Sequence, residues 1–113
     1  MDLQVSTARR GSFAVLTVVG EVDLGTAGSL AEEATAATSD GTANLVIDLG
    51  GVTFLDSSGL KVLVSALKRT EQAGRSMSLV AVPSVVMRVL TVTAMDKVFS
   101  IYDSVDDAVV ADA

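Results

Sequence analysis

The chain has 113 residues, no cysteine and no histidine, and a formal net charge of −6. Those absences exclude disulfides, thiolate chemistry, zinc sites of the usual kind and every histidine-dependent general base. The acidic balance, with Arg9-Arg10 and Lys68-Arg69 as its adjacent basic pairs, argues against nucleic-acid binding, which needs clustered cations to neutralise phosphate. Half the residues are hydrophobic but only four are aromatic, so Val, Leu, Ile and Ala must fill the core of the one domain expected over residues 1–113.

In chain order, Leu3, Val5 and Thr7 alternate with polar residues and predict a first strand. Arg9-Arg10-Gly11-Ser12 reads as a turn, and the β-branched run Phe13 to Val19 as a second strand, making an antiparallel hairpin. Gly20-Glu21-Val22-Asp23 closes that strand. From Leu24 the pattern turns helical, with Leu30, Ala34 and Ala37 on a buried stripe, Glu32 and Glu33 outside, and Ser39-Asp40-Gly41 as the stop. Leu45-Val46-Ile47 predicts a strand that ends in a turn at Gly50-Gly51, followed by a short extended piece from Val52 to Leu55.

A helix is expected from Ser57 to Ala73, since Leu60, Leu63, Val64 and Leu67 fall at i, i+3, i+4 and i+7. Lys61, Lys68 and Arg69 are expected on its exposed side. Met77 to Val82 reads as the next strand. Pro83 opens a helix with Val85, Val86, Val89 and Leu90 on its apolar face, and Met87 and Met95 are core filler. Val98 to Tyr102 is a short final strand; Ser104 and Asp107 resemble a capping box for a last helix, Val105 to Val110, with residues 111–113 expected to fray. Strands separated by helices pair in parallel through right-handed crossovers. The fold class is therefore α/β: a small mixed sheet, an antiparallel hairpin followed by parallel strands, flanked by about four helices.

Chemistry concentrates at one junction, where a strand hands over to a helix at Asp56-Ser57-Ser58-Gly59. Backbone N–H groups are unpaired at such a point, and an oxygen ligand or phosphate is electrostatically welcome. The run Phe54-Leu55-Asp56-Ser57-Ser58-Gly59-Leu60, together with Gly20-Glu21-Val22-Asp23 and the element order from about Leu3 to Val110, resembles the STAS-domain anti-sigma factor antagonist family. The resemblance implies partner switching. In that scheme the unmodified protein binds an anti-sigma factor that is also a GHKL-type serine kinase, which frees the sigma factor. The kinase phosphorylates the serine after the aspartate, here Ser57, and a serine phosphatase resets it. Ser58 is the second choice of acceptor, and Ser58 is also the expected helix cap.

The partner-binding residues implied are Asp23, Asp56, Ser57, Ser58 and Gly59. Each has a plainer reading: Asp-Ser-Ser is ordinary N-capping chemistry, Asp23 suits a turn or cap before the first helix, and Gly59 fits tight packing on a neighbouring strand. The alternative function is that of a STAS regulatory subunit of a membrane transporter, or a stress-signalling scaffold without a phospho-switch. A serine hydrolase would need Lys61 or Lys68 as its base, and no Gly-x-Ser-x-Gly elbow, phosphate loop or kinase signature is present. No enzymatic activity, cofactor or metal is expected. Met1-Asp2 begins no signal peptide, and Asp48 and Asp56 interrupt the apolar run around Ile47, so no membrane insertion and a cytoplasmic location are expected.

Overall fold

The computed structural model describes residues 2–112. Strands β1 (Leu3–Arg10) and β2 (Phe13–Val22) form the antiparallel hairpin, in register from Leu3 opposite Gly20 to Arg10 opposite Phe13. Arg9 and Arg10 belong to the strand. The turn is only Gly11-Ser12, because Gly11 adopts the positive φ (60°) that a two-residue hairpin loop requires.

Strand β3 runs without interruption from Asn44 to Leu55, parallel to β2. The turn expected at Gly50-Gly51 does not exist. Gly51 instead admits a close approach between strands: a Cβ there would lie 2.8 Å from Val19 Cγ2 and 3.1 Å from the Val18 carbonyl oxygen. The register shifts between Thr17 and Val19, so the glycine pair marks a bulge and the chain continues straight on. β2 follows it past Val19, pairing Glu21 with Phe54 and Val22 with Leu55. That continuation carries the Asp-Ser-Ser junction beyond the body of the sheet.

Strands β4 (Met77–Val80) and β5 (Ser100–Tyr102) extend the sheet in parallel, giving the order β1-β2-β3-β4-β5. Four α-helices accompany it: α1 (Ala27–Ala37), α2 (Ser57–Gln72), α3 (Ser84–Val92) and α4 (Val105–Ala111). The mixed sheet and helix count expected from the sequence are the ones found. β4 ends two residues early because Ala81 takes a left-handed φ of 54°. β5 starts two residues late because Val98 closes a short 3-10 turn, Met95–Lys97, its N–H bonded to the Met95 carbonyl at 3.0 Å. Of the expected frayed tail, Ala111 ends α4, Asp112 follows as its cap, and residue 113 lies outside the described part.

Alternation along each strand divides the core. Leu16, Val18, Leu45, Ile47, Leu49 and Leu79 point to the face covered by α1, α2 and α3, where they meet Leu30, Leu63, Leu67, Val86 and Leu90. Phe13, Val46 and Val80 point to the opposite face and meet Ala108, Val105 and Val109 of α4. A parallel strand buried on both faces needs apolar residues at consecutive positions, which is why Leu45, Val46 and Ile47 read as an unbroken run. Each buried Leu, Ile or Val contributes about 1.5–3 kcal/mol.

Candidate functional site

Local rules place the junction. Leu55 pairs with Val22 at the end of the ladder, and the Asp56 N–H donates to the Val22 carbonyl at 3.1 Å. The chain then turns into α2 with Asp56 in extended conformation, its Oδ1 accepting from the Ser58 N–H at 2.9 Å and the Gly59 N–H at 3.2 Å. Asp56 is therefore the N-cap, a role expected of Ser58. An Asp cap satisfies two of the four N–H groups left open at a helix start.

The three residues after the cap differ in their surroundings. Ser57, the first residue of α2, is exposed; Ser58 is half-buried; Gly59 is buried. A Cβ on Gly59 would stand 2.7 Å from Val22 Cγ1, closer than real Cβ contacts come, and a tight 3.0 Å from Leu55 Cγ. Gly59 thus lets α2 rest on the ends of β2 and β3, and its missing side chain faces the interior. It offers a partner no surface, and its place in the site is to hold Ser57 and Ser58 where they are.

Asp23 lies across a cleft from this junction. The cleft is lined by Asp23, Leu24, Gly25, Thr26 and Asp56. Asp23 Oδ1 accepts from the Gly25 N–H at 2.9 Å and the Thr26 N–H at 3.1 Å, while its carbonyl accepts from the Thr26 and Ala27 N–H groups. The helix expected from Leu24 starts only at Ala27, since these bonds hold Leu24-Gly25-Thr26 as a turn. Asp23 fastens that turn from outside the helix.

Three residues near the junction and its cleft escaped the sequence reading. Thr26 donates its hydroxyl to the Glu21 carbonyl at 2.7 Å and accepts from the Asp23 N–H at 3.0 Å, tying the end of β2 to the start of α1. The Asp-x-x-Thr spacing is a capping-type signal that would have found it. Leu24, from which the sequence predicts a helix, is 83% exposed in the turn before it. Phe54 is 44% exposed, because Leu55 takes the inward position and alternation turns Phe54 out.

The cleft carries two carboxylates and no cation among its lining residues. A phosphate on Ser57 would gain from the α2 dipole, an effect of about 0.3–1 kcal/mol when exposed, but Asp56 Oδ1 already holds the Ser58 and Gly59 N–H groups. Its one cationic neighbour on the helix is Lys61, exposed and four residues on, where side chains at i and i+4 meet. Nothing here makes a serine nucleophilic, and among the described residues no group of three or more His, Cys, Asp or Glu side chains is placed to hold a metal. No helix of the described residues is long and apolar enough to cross a membrane.

Comparison with known proteins agrees with this architecture. The anti-sigma-F factor antagonist RsfB of Mycobacterium tuberculosis is 37% identical over 109 residues, 95% of this chain and 87% of that protein. An anti-sigma-B factor antagonist of Staphylococcus aureus is 30% identical over 84% of this chain and 88% of its own length. The crystal structure of an anti-sigma factor antagonist from Mycobacterium paratuberculosis superposes with a TM-score of 0.89 at 32% identity, covering 97% of this chain and 93% of that one. The STAS domain family itself matches residues 4–108. With nearly the whole chain covered in each comparison, and with the hairpin, parallel strands and Asp-Ser-Ser helix start in place, the protein belongs to the STAS domain family.

Proposed function

We propose that this protein is an anti-sigma factor antagonist that works by partner switching. Unphosphorylated, it binds an anti-sigma factor that is also a GHKL-type serine kinase, and the sigma factor is released. Phosphorylation of Ser57 ends the complex, and a serine phosphatase restores it. The role is regulatory and not catalytic, and its place is the cytoplasm, where those partners act. Relatives named as anti-sigma factor antagonists over most of this chain's length support the reading.

The observation that carries it is the exposure of Ser57 beside its buried and half-buried neighbours. A kinase can reach that hydroxyl without unfolding the helix, because the cap is supplied by Asp56. The modification adds about −1.5 to −2 charges at neutral pH. Asp23 and Asp56 already make this surface negative, so a partner seated over it loses a close contact and meets added repulsion. A loss of about 4 kcal/mol lowers affinity roughly a thousandfold. Asp23 and Leu24, across the cleft from Asp56, complete the contact surface around Ser57 and Ser58.

The test is a pull-down from native extract with wild-type and Ser57→Asp bait, followed by mass spectrometry and by titration of the recovered partner. A GHKL-type kinase held by wild type and lost by Ser57→Asp supports the proposal. A partner bound equally by both, or a transporter subunit, defeats it.

A further inference from the structure

Away from Ser57, helices α1 and α2 leave a groove of about 190 Å³ lined by Ala31, Lys61, Val62, Ser65 and Arg69. Ala31 and Val62 give it an apolar surface, and both charged groups on it are cations. They stand out in a chain of net charge −6, and α2 carries Lys61, Lys68 and Arg69 against the single acid Glu71. Arg69, expected on the exposed side, is half-buried, and its Nε is buried with no hydrogen-bond partner. The one ion pair among the described residues, Arg10 with Asp106, lies elsewhere.

The size of the groove decides what fits. Small-molecule and cofactor sites occupy roughly 300–1,000 Å³, whereas a cavity of about 150 Å³ holds one benzene ring. This groove takes a single large side chain and not a nucleotide. Lys61 and Arg69 are eight residues apart, about 12 Å along the helix, close to the roughly 13 Å that four residues of extended chain span.

We propose that the groove is a docking socket for an acidic segment of a partner protein. One aromatic or large aliphatic side chain seats against Ala31 and Val62, and flanking carboxylates meet Lys61 and Arg69. The second carboxylate meets the Arg69 guanidinium from the groove side, since Nε itself is enclosed. Charge selects the segment, and the apolar socket sets its register on the helix. The groove runs away from the phosphoacceptor, with Ser65 about 12 Å along α2 from Ser57, and Lys61 at its near end is the residue the two surfaces share.

The experiment is a ¹H–¹⁵N NMR titration of the full chain with acetyl-Asp-Ser-Phe-Ser-Asp-amide. Saturable shifts at Val62, Ser65 and the Arg69 Nε–H are expected, with binding about tenfold weaker for the Asn-Ser-Phe-Ser-Asn and Asp-Ser-Ala-Ser-Asp counterparts, about 1.4 kcal/mol. Lys61→Glu, at an exposed position, is expected to weaken binding by a similar factor in a fully folded protein; Arg69→Gln adds a second reading if it folds. Equal binding of the neutral peptide, or no localised shifts at millimolar peptide, overturns the proposal. So does self-association by sedimentation that Lys61→Glu abolishes, because the occupant is then a second copy of this chain.

Discussion

Asp56 Oδ1 accepts the Ser58 N–H at 2.9 Å and thereby takes the capping role away from both serines of the junction. Ser57 and Ser58 keep their hydroxyls free of that duty. Asp56→Ala is expected to cost about 1 kcal/mol, the usual value of a lost N-cap, and to lower the melting temperature by several degrees. Ser58→Ala should leave urea unfolding nearly unchanged. The reverse ranking of the two variants would return the cap to Ser58.

Gly59 predicts a substitution whose helix propensity and packing disagree. Alanine is about 1 kcal/mol better than glycine in a helix interior, yet its Cβ would press on Val22 and Leu55. Packing should win, so Gly59→Ala is expected to destabilise by about 1–3 kcal/mol, the range for overfilled cores. The double variant with Val22→Ala should show non-additivity, since Val22 Cγ1 is the atom in the way. Strict additivity in a denaturant double-mutant cycle would locate the strain elsewhere.

Asp23 separates into a geometric part and a charged part. Asp23→Asn keeps an oxygen to accept from Gly25 and Thr26, while Asp23→Ala removes the acceptor of both bonds. Thermal unfolding is expected to rank Asp23→Ala below Asp23→Asn by about 1–3 kcal/mol, the net worth of two such hydrogen bonds. If the negative charge serves the partner surface, Asp23→Asn weakens kinase binding without losing stability. Normal binding by Asp23→Asn would leave Asp23 as a turn residue alone.

A phosphate on Ser57 would have a single cationic helix neighbour in Lys61. An acidic group four residues N-terminal to lysine is the favourable orientation of such a pair, with an effect of about 0.2–0.5 kcal/mol. A ³¹P titration of the phosphorylated protein should show the phosphate midpoint rising slightly in Lys61→Gln. An unchanged midpoint would mean that Lys61 does not reach the phosphate.

Asp40 carries the pH prediction. The backbone N–H of Thr42 and then its hydroxyl bond the Asp40 carboxylate and hold its pKa below the ordinary aspartate value. A depressed folded-state pKa contributes stability above the unfolded-state value and loses it as pH falls through the folded one. NMR titration of the Asp40 carboxyl should therefore find a low midpoint that moves up in Thr42→Val, although Arg9 continues to lower it. Because the carboxylate is exposed, unfolding measured near neutral pH should barely register the change.

Periodicity and local chemistry determined much of this protein. The strand–helix order, the apolar face of α2 through Leu63 and Leu67, the Ser104 cap of α4 and the Asp-Ser-Ser junction all follow from patterns that span a few residues. The tertiary structure decided what depends on neighbours distant in sequence. Gly50-Gly51 has turn composition, yet the parallel strand β2 lies against it and keeps β3 straight. Leu24 is where the sequence predicts a helix to begin, yet the bonds of Asp23 and Thr26 hold it in a turn, and it is exposed. The pairing of Val22 with Leu55 puts the ends of β2 and β3 beneath Gly59 and sets which serine faces outward. Likewise, the meeting of α1 and α2, and not any feature of α2 alone, shapes the groove between Ala31 and Lys61, Val62, Ser65 and Arg69. Local signals specify elements, whereas exposure and enclosure are set by whichever elements the fold brings alongside.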